Sequence, residues 1–343
     1  RVPDKGGLVR RTALAIAFIL VVAPAAVSSR QAASGEAPRW FKGNTHTHTL
    51  NSDGDSTPDE VVRWYREQRY NFLVLTDHNF VTPVDGLNAL FAADDRFLVI
   101  SGEELTDRAG DKPVHLCLVG GAALVRPQGG AQPADVLQRD IDAMGAAGGI
   151  VQINHPNFGW ALSAADLQAV KGAHLMEISN GHPQVNNIGG GGLPGVEAMW
   201  DAVLSSGRTL FGVASDDMHE LKRPWSRQAA GPCRGWVMVR ATRLTADAIL
   251  DALRRGDFYA TTGVELTDVQ ASARAVTVTI RQQGTAKYTV QFIGRGGRVL
   301  KEATSSPAQY DFAGDEGYVR AKVIDSNGLV AWTQPVRVGA NSQ

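Results

Sequence analysis

From Trp40 onward, short apolar runs alternate with amphipathic stretches, as strands and helices do when taken in turn. Residues 41–47 read as a strand. Thr57, Pro58 and Glu60 then supply an N-cap, an N1 proline and the N3 acid of a capping box, so a helix is expected over 59–69 with Val61, Val62, Trp64 and Tyr65 on its apolar side. Apolar runs at 72–75, 97–100, 114–119, 150–153, 175–179 and 209–214 predict further strands. Stretches at 134–147, 164–170 and 196–206 predict helices, with Gly148 and Gly207 as stops after the first and last. A strand at 236–240, a helix at 246–255 ended by Gly256 and a connector at 258–263 complete this part. Strands and helices in alternation imply a mainly parallel α/β architecture.

From Val264 the period changes to two. Alternating runs at 276–280, 288–293, 318–324 and 329–338, with the hairpin dipeptide Asn327-Gly328, predict a small β-sandwich over 264–343. That stretch contains no His or Cys, so it suits packing, carbohydrate or envelope contact, or shaping of a pocket edge. The main domain is then expected at 39–263.

The 343 residues, 43% hydrophobic and 20% charged, suffice for a full core. A net charge of -1 and a pI near 6.8 give no general pull toward nucleic acid or an acidic membrane. At the N-terminus, Arg10 and Arg11 precede the apolar run 13–22, Pro24 and the small-residue stretch 25–29. That is the layout of a signal peptide at 1–28, followed by a flexible leader at 29–38 rich in Ser, Ala, Gln and Gly. The apolar run is shorter than the roughly 20 residues of a membrane span. An exported chain, periplasmic or extracellular and without a transmembrane span once cut, is therefore expected, with an uncleaved anchor as the lesser reading. Cys117 and Cys233 fit an oxidising compartment but form no disulfide framework, and Cys117 reads as a small core residue.

The polar residues at the ends of the apolar runs carry the chemistry. The first strand leads into GNTHTHTLNSD, in which His46 and His48 share a face and Asp53 follows. Later runs deliver Thr76-Asp77-His78-Asn79, Ser101-Gly102-Glu103-Glu104, Asn154-His155-Pro156, Asn180-Gly181-His182 and Ser215-Asp216-Asp217-Met218-His219. His115 departs from this rule, standing near the beginning of its run. Parallel strands closed into a barrel would bring such ends to one mouth. Taken singly, each His is more simply a core or loop residue; six of eight at such points is a pattern.

This ordered set resembles the PHP family, named for polymerase and histidinol phosphatase, over roughly residues 40–263. The resemblance implies a distorted (β/α)7 barrel holding two to three divalent ions, Zn, Mn or Fe. It implies one ion on His46, His48, Glu103 and Asp217, a second sharing Glu103 and taking His115 and His155, and a third on Asp53, His78 and His219. The family's last motif is Ser-Asp-x-His, whereas here it is one residue longer; counting back two from His219 selects Asp217 and leaves Asp216 as the alternative. Imidazole and carboxylate suit these ions, and adjacent cations draw hydroxide from water near neutrality. A metal-bridging hydroxide with Asp217 and His219 beside it is the expected catalytic set.

The expected activity is that of a metal-dependent hydrolase, foremost a phosphoesterase acting on a small-molecule phosphomonoester or phosphodiester. The resemblance extends to exported carbaryl-hydrolase-like proteins, so hydrolysis of a carbamate or carboxylic ester is the alternative. A metal-loaded envelope binding protein without catalysis is the third reading. His182 and Asn180 stand at the ligand end of their strand and are expected substrate contacts. Arg223, with Lys222 and Arg227, follows His219 and could hold an anionic group, although a solvated loop is the plainer explanation. His174 reads as a surface residue, and the run 189–192 as a lid or slack loop lacking the Lys of a phosphate loop.

Overall fold

The chain builds three sheets, two of which bring strand ends to a common rim. The structure, a computed structural model, describes residues 37–339; the expected signal peptide and nearly all of the expected leader lie outside the described residues. β1 (Arg39–Asn44) runs parallel to β2 (Phe72–Val74), and β2 to β3 (Leu98–Ile100). α1 (Pro58–Glu67) and α2 (Asp85–Phe91) connect them. The capping acid is in place, with Thr57 N–H donating to Glu60 Oε2 at 2.9 Å. Val61, Val62 and Tyr65 of α1 pack on Leu73, Leu75, Phe97 and Val99.

β4 (Gly102–Ala109) continues from β3 past Ser101 and folds back as a hairpin onto β5 (Lys112–Val119). The two-residue turn needs a positive φ, which Gly110 supplies at 63°. β5 then pairs antiparallel with β6 (Ile150–Ile153), which α3 (Pro133–Ala147) precedes. β6 is parallel to β7 (Leu175–Asn180), and β7 to β8 (Phe211–Ser215), with α4 (Ala164–Ala169) and α5 (Val196–Ser205) between them. Leu137, Ile141 and Met144 of α3, Leu167 of α4 and Met199, Trp200 and Val203 of α5 share one apolar core with this sheet. The structure thus departs from an unbroken series of parallel units at β5. That departure explains His115: on a reversed strand, the beginning lies where the other strands end.

Among the described residues no closed barrel is found. Hydrogen-bonded ladders order one sheet as β4-β5-β6-β7-β8, and none joins β8 to β9 (Trp236–Ala241), which pairs instead with β1. At the rim two isolated bridges, Thr47 with Met218 and His78 with Glu104, join these two sheets.

After β9 come α6 (Ala246–Arg255), closed by Gly256 at φ 77°, and β10 (Phe258–Thr261). β11 (Leu266–Ala271), β12 (Ala275–Ile280), β13 (Tyr288–Gly294), β14 (Arg298–Ala303), β15 (Ala308–Asp311), β16 (Gly317–Asp325), β17 (Val330–Thr333) and β18 (Val336–Val338) follow. β17 pairs with β10 as well as with β16, so one sheet runs from β14 through β17, β10 and β9 to β1 and β3. The ladder crosses the expected boundary at 263/264 without a break. β11, β12 and β15 form a second layer over it, sharing Tyr259, Val278, Phe292 and Val323 as core. The described residues make one compact unit. No helix among the described residues is long and apolar enough to cross a membrane.

Polar links tie these C-terminal strands to α5 and to β8. Arg320, 1% exposed, donates from Nε and Nη2 to Asp201 at 2.8 and 2.7 Å, and from Nη2 to Glu197 at 2.8 Å. Gln334 donates to Gly212 O and accepts from Gly212 N, both at 2.8 Å, covering the free edge of β8 as a short strand would. Removing one partner of a buried pair strands the other charge. Asp201→Ala is therefore expected to destabilise the fold by about 3 to 5 kcal/mol in urea denaturation. Asp251→Ala, which breaks the exposed Arg254–Asp251 pair, should have a far smaller effect, and equal effects would refute this account.

Candidate metal centre

The site starts where β1 ends. His46 N–H donates to Asn44 Oδ1 at 3.0 Å, and the chain stays extended, held by His48 N–H to Met218 O at 2.9 Å and Asp217 N–H to His46 O at 3.1 Å. Residues two apart on extended backbone face the same way, so both imidazoles turn inward, each fully buried. Their Nε2 atoms lie 3.1 Å apart. Asp217 Oδ1 is 3.2 Å from each, and Glu104 Oε2 is 3.3 Å from each.

A second group shares Glu104. Its Oε1 lies 3.2 Å from both His115 Nδ1 and His155 Nε2, while His78 Nδ1 is 2.9 Å from Oε2. The third group is more open. Asp53 Oδ1 lies 3.3 Å from His219 Nε2 and 3.7 Å from His48 Nδ1, and Asp53 Oδ2 is 3.5 Å from His78 Nε2. The Asp53 side chain is 55% exposed.

The structure therefore brings together His46, His48, Asp53, His78, His115, His155, Asp217 and His219, and adds Glu104 in place of Glu103. The correction follows from strand geometry. Glu103 and Glu104 are neighbours on β4 and must point to opposite faces. Glu103 turns outward from the cluster to accept from Val125 N–H at 3.0 and 3.1 Å, and burial lifts its pKa to about 7. The choice between Asp216 and Asp217 is also visible. Asp216 accepts from Tyr65 OH at 2.8 Å and from the backbone of Cys233, Arg234 and Gly235, so it anchors a loop behind the site.

Three turns that carry or flank ligands hold a non-glycine residue in the left-handed region: Asn79 at φ 48°, His155 at 21° and Asp217 at 50°. Such backbone is unfavourable and persists only where the surroundings enforce it. At His155 a buried carboxylate does so, Glu177 accepting its N–H at 2.7 Å, while Asn79 N–H donates to Glu104 O at 2.8 Å and Asp217 N–H to His46 O at 3.1 Å. Asp77 accepts from Thr49 N–H at 2.7 Å and from the hydroxyls of Thr49, Ser52 and Thr82, fixing the loop between His48 and Asp53.

Glu177 on β7 is the residue that sequence reasoning missed. Its carboxylate accepts from His46 Nδ1 at 2.7 Å, His155 N–H at 2.7 Å and Asn180 Nδ2 at 2.8 Å, as well as from Ser215 Oγ. With the proton on Nδ1, the Nε2 lone pair of His46 is turned toward the cluster, which is how carboxylates orient metal-binding histidines. The available signal was an acid inside an otherwise apolar strand. Asn180 belongs to the same network, donating to Asp217 Oδ2 at 3.1 Å as well as to Glu177, and is buried.

Arg223, an expected substrate contact, and His174, expected at the surface, are not among the clustered donors. Arg223 is exposed and paired with Glu220, and His174 is half-buried against Val151 N–H at 3.4 Å. Both cysteines are free. His182 stands at the rim, its ring 5.4 Å from that of His219 and 6.2 Å from that of Phe158.

The electrostatics describe a cation site. Burial disfavours charge on Glu104, yet His46, His78 and His115 hold its carboxyl well below the usual range. Burial also opposes charge on His78, but Glu104 and Asp53 outweigh it and raise its pKa to about 10. Burial and the neighbouring His219 push His48 down to about 4. Ionised carboxylates thus face imidazoles that either take up protons or stay neutral, and a divalent ion would compete for the same lone pairs.

The donors fit such an ion on geometry as well. A tetrahedral Zn site with bonds of about 2.0 to 2.1 Å has donors about 3.3 to 3.4 Å apart. His46, His48 and Glu104 meet that spacing, at 3.1 to 3.3 Å, while Asp217 lies 3.2 Å from both imidazoles but falls in a separate group of donors with His46 and His155. Glu104 Oε2 and His115 Nδ1 are buried and make no hydrogen bond, as atoms shaped for a cation would be.

No family model and no curated protein matches the sequence. Among solved structures, a two-domain protein of Bacteroides vulgatus containing a predicted PHP-like metal-dependent phosphoesterase is similar with TM-score 0.47 and 16% identity, over 87% of this chain and 96% of that one. A protein of Bifidobacterium adolescentis described as a metal-dependent phosphoesterase scores 0.38 at 16% identity, over 53% and 89%. An amidohydrolase of Chromobacterium violaceum with bound sulfate and no metal scores 0.35 at 17% identity, over 52% and 87%. At scores below 0.5 these likenesses carry no weight, and the functional reading rests on the cluster's own geometry.

Replacing Glu104 tests the cluster most directly. Glu104→Gln should lose bound zinc or manganese, measured by elemental emission after loading, whereas Glu103→Gln should keep it. Glu177→Gln is expected to weaken metal binding by about 10- to 100-fold. Retention of metal in Glu104→Gln would remove the central assignment.

Proposed function

We propose that this chain is a metal-dependent hydrolase of the PHP type, acting on a small-molecule phosphate ester with two to three divalent ions. One observation carries the reading: the paired imidazoles of His46 and His48, 3.1 Å apart, are each 3.3 Å from Glu104 and 3.2 Å from Asp217, and the Glu104 oxygen that faces them is satisfied by no hydrogen bond. A closed structural site would end there. Here Glu104 is shared with His115, His155 and His78, and the set grades outward to half-exposed Asp53, which suits a centre open to substrate.

His46, His48, Glu104 and Asp217 would hold one ion, Glu104, His115 and His155 a second, and Asp53, His78 and His219 a third. Bound there, such ions supply Lewis acidity and a water ready to lose its proton near neutrality. The protein's own groups do the rest. Glu177 and Asn180 keep His46 and Asp217 aimed inward. Gln184 N–H donates to His182 Nδ1 at 3.3 Å, and burial lowers the His182 pKa, so the neutral ring carries its proton on Nε2. That leaves His182 a donor at the rim, placed to hydrogen-bond a phosphoryl or leaving-group oxygen.

Zinc, manganese and iron all match these donors, and loading with each in turn decides among them. Export through the N-terminal segment belongs to the same proposal, as does the carbamate or carboxylic ester alternative, since the same centre can attack carbonyl carbon.

The metal-loaded chain should hydrolyse 4-nitrophenyl phosphate or bis(4-nitrophenyl) phosphate, and chelation should abolish turnover. His182→Ala should lower kcat by about 100-fold or more while leaving metal content unchanged. Faster turnover of nitrophenyl carbamates or acetates than of any phosphate would transfer the assignment to the alternative. Absence of all turnover in chain with verified metal would end the hydrolase reading.

A further inference from the structure

The turn that presents His155 also presents an aromatic ring that the core does not use. Phe158 N–H donates to His155 O at 2.8 Å, opening a single 3-10 turn, Phe158–Trp160. Partly exposed, Phe158 joins none of the apolar cores among the described residues. Its ring meets imidazoles instead, at centroid distances of 5.3 Å to His155, 6.1 Å to His115 and 6.2 Å to His182. The turn is fixed from behind, because the Asn157 amide donates to Asn186 O and Pro194 O, both at 2.9 Å.

Other apolar side chains follow the ligands in the same manner. Leu50, two residues past His48, is 56% exposed, and Phe80, two past His78, is 42% exposed. Their loops are joined by Asn51 Nδ2 to Thr82 Oγ1 at 2.8 Å. Two of the guanidinium groups on this side are engaged with other protein groups. Arg223 is paired with Glu220, and Arg234 donates to Gly181 O and Ser226 O. The loops that follow His48, His78 and His155 therefore carry apolar and aromatic side chains beside the polar floor.

We propose that Phe158 is one wall of the substrate pocket and that the phosphate ester taken by this site carries a planar apolar group, aryl or heteroaryl, which packs against that ring. The proposal rests on the metal-hydrolase reading for the position of the phosphate, and it adds the identity of the group beside it. Aromatic rings pair edge-to-face or offset, and each such pair adds to the gain from removing apolar surface from water. A second phosphate would leave Phe158 facing water.

The test uses phenylphosphonate and methylphosphonate, which bind but do not turn over, titrated into the full metal-loaded chain by calorimetry. The expected result is about tenfold tighter binding of phenylphosphonate, with the ratio falling toward one in Phe158→Ala and surviving in Phe158→Trp. With phenyl phosphate as substrate, Phe158→Ala should raise KM by a similar factor and leave kcat within about twofold. Equal affinity of the two phosphonates for the unaltered chain would overturn the proposal, as would an unchanged ratio in Phe158→Ala. Loss of metal from Phe158→Ala would overturn it too, by showing that the ring supports the ligands. Selective phosphonate binding without hydrolysis of any ester would leave the pocket standing and sink the hydrolase reading alone.

Discussion

The structure turns on one buried carboxylate. Glu104 is inaccessible to solvent, and so are His46 and His48 beside it; Asp217 is 4% exposed. Burying an ionised carboxylate is costly unless positive charge and hydrogen bonds surround it. His46, His48, His78, His115 and His155 approach Glu104 within 3.3 Å, yet Oε2 has no hydrogen bond of good geometry. Protons on these imidazoles can balance the charge only in part, because crowded imidazolium ions repel one another. The lowered His48 pKa, which burial and His219 produce, expresses that conflict. A divalent cation resolves it by placing charge where the lone pairs already point, and its binding energy then adds to the stability of the folded chain.

The rest of the rim is arranged to keep this group from relaxing. Asp77 ties the loop after His48, Asp216 ties the segment after Cys233, and Glu177 joins β7 to His46 and to the His155 turn. Each spends its acceptor capacity on backbone or side-chain donors. Such carboxylates resist rearrangement, since moving one would leave several buried donors unpaired at once. The strained turns at Asn79, His155 and Asp217 lie within this frame, and the network of acceptors holds their unfavourable backbone in place.

Much of this was legible in the residues. Many of the strands and helices, the capping box at Thr57, the helix stop at Gly148 and the strand-end histidines could be taken from the pattern alone, because each is a local rule; the helix Asp85–Phe91 and the strand Gly102–Ala109 were not among them. What escaped depended on pairing. Glu103 and Glu104 are indistinguishable until the register of β4 against β5 decides which faces inward. The hairpin itself was signalled by Gly110-Asp111 between two extended runs, but the apolar run at 114–119 resembles a parallel strand equally well. Glu177 gave a different difficulty: an acid within an apolar strand announces a partner without naming it, and that partner, His46, lies 131 positions away.

The open seam between β8 and β9 gives the C-terminal strands a physical role. A sheet edge left without a ladder exposes backbone donors and acceptors, and β8 is the strand that delivers Asp217 and His219. Gln334 satisfies both backbone groups of Gly212 with its amide, and that approach is close to packed limits: a Cβ on Gly212 would come within 2.8 Å of Ile178 and 3.0 Å of Trp200. Trp200 is in turn covered by the Arg320 guanidinium at 4.8 Å, which Asp201 on α5 fixes in place. The C-terminal strands therefore contribute no donor to the cluster but seal the edge beside it. A barrel closed by hydrogen bonds would not need them; a sheet that ends at β8 does, because fraying there would displace Asp217 from the two imidazoles it faces.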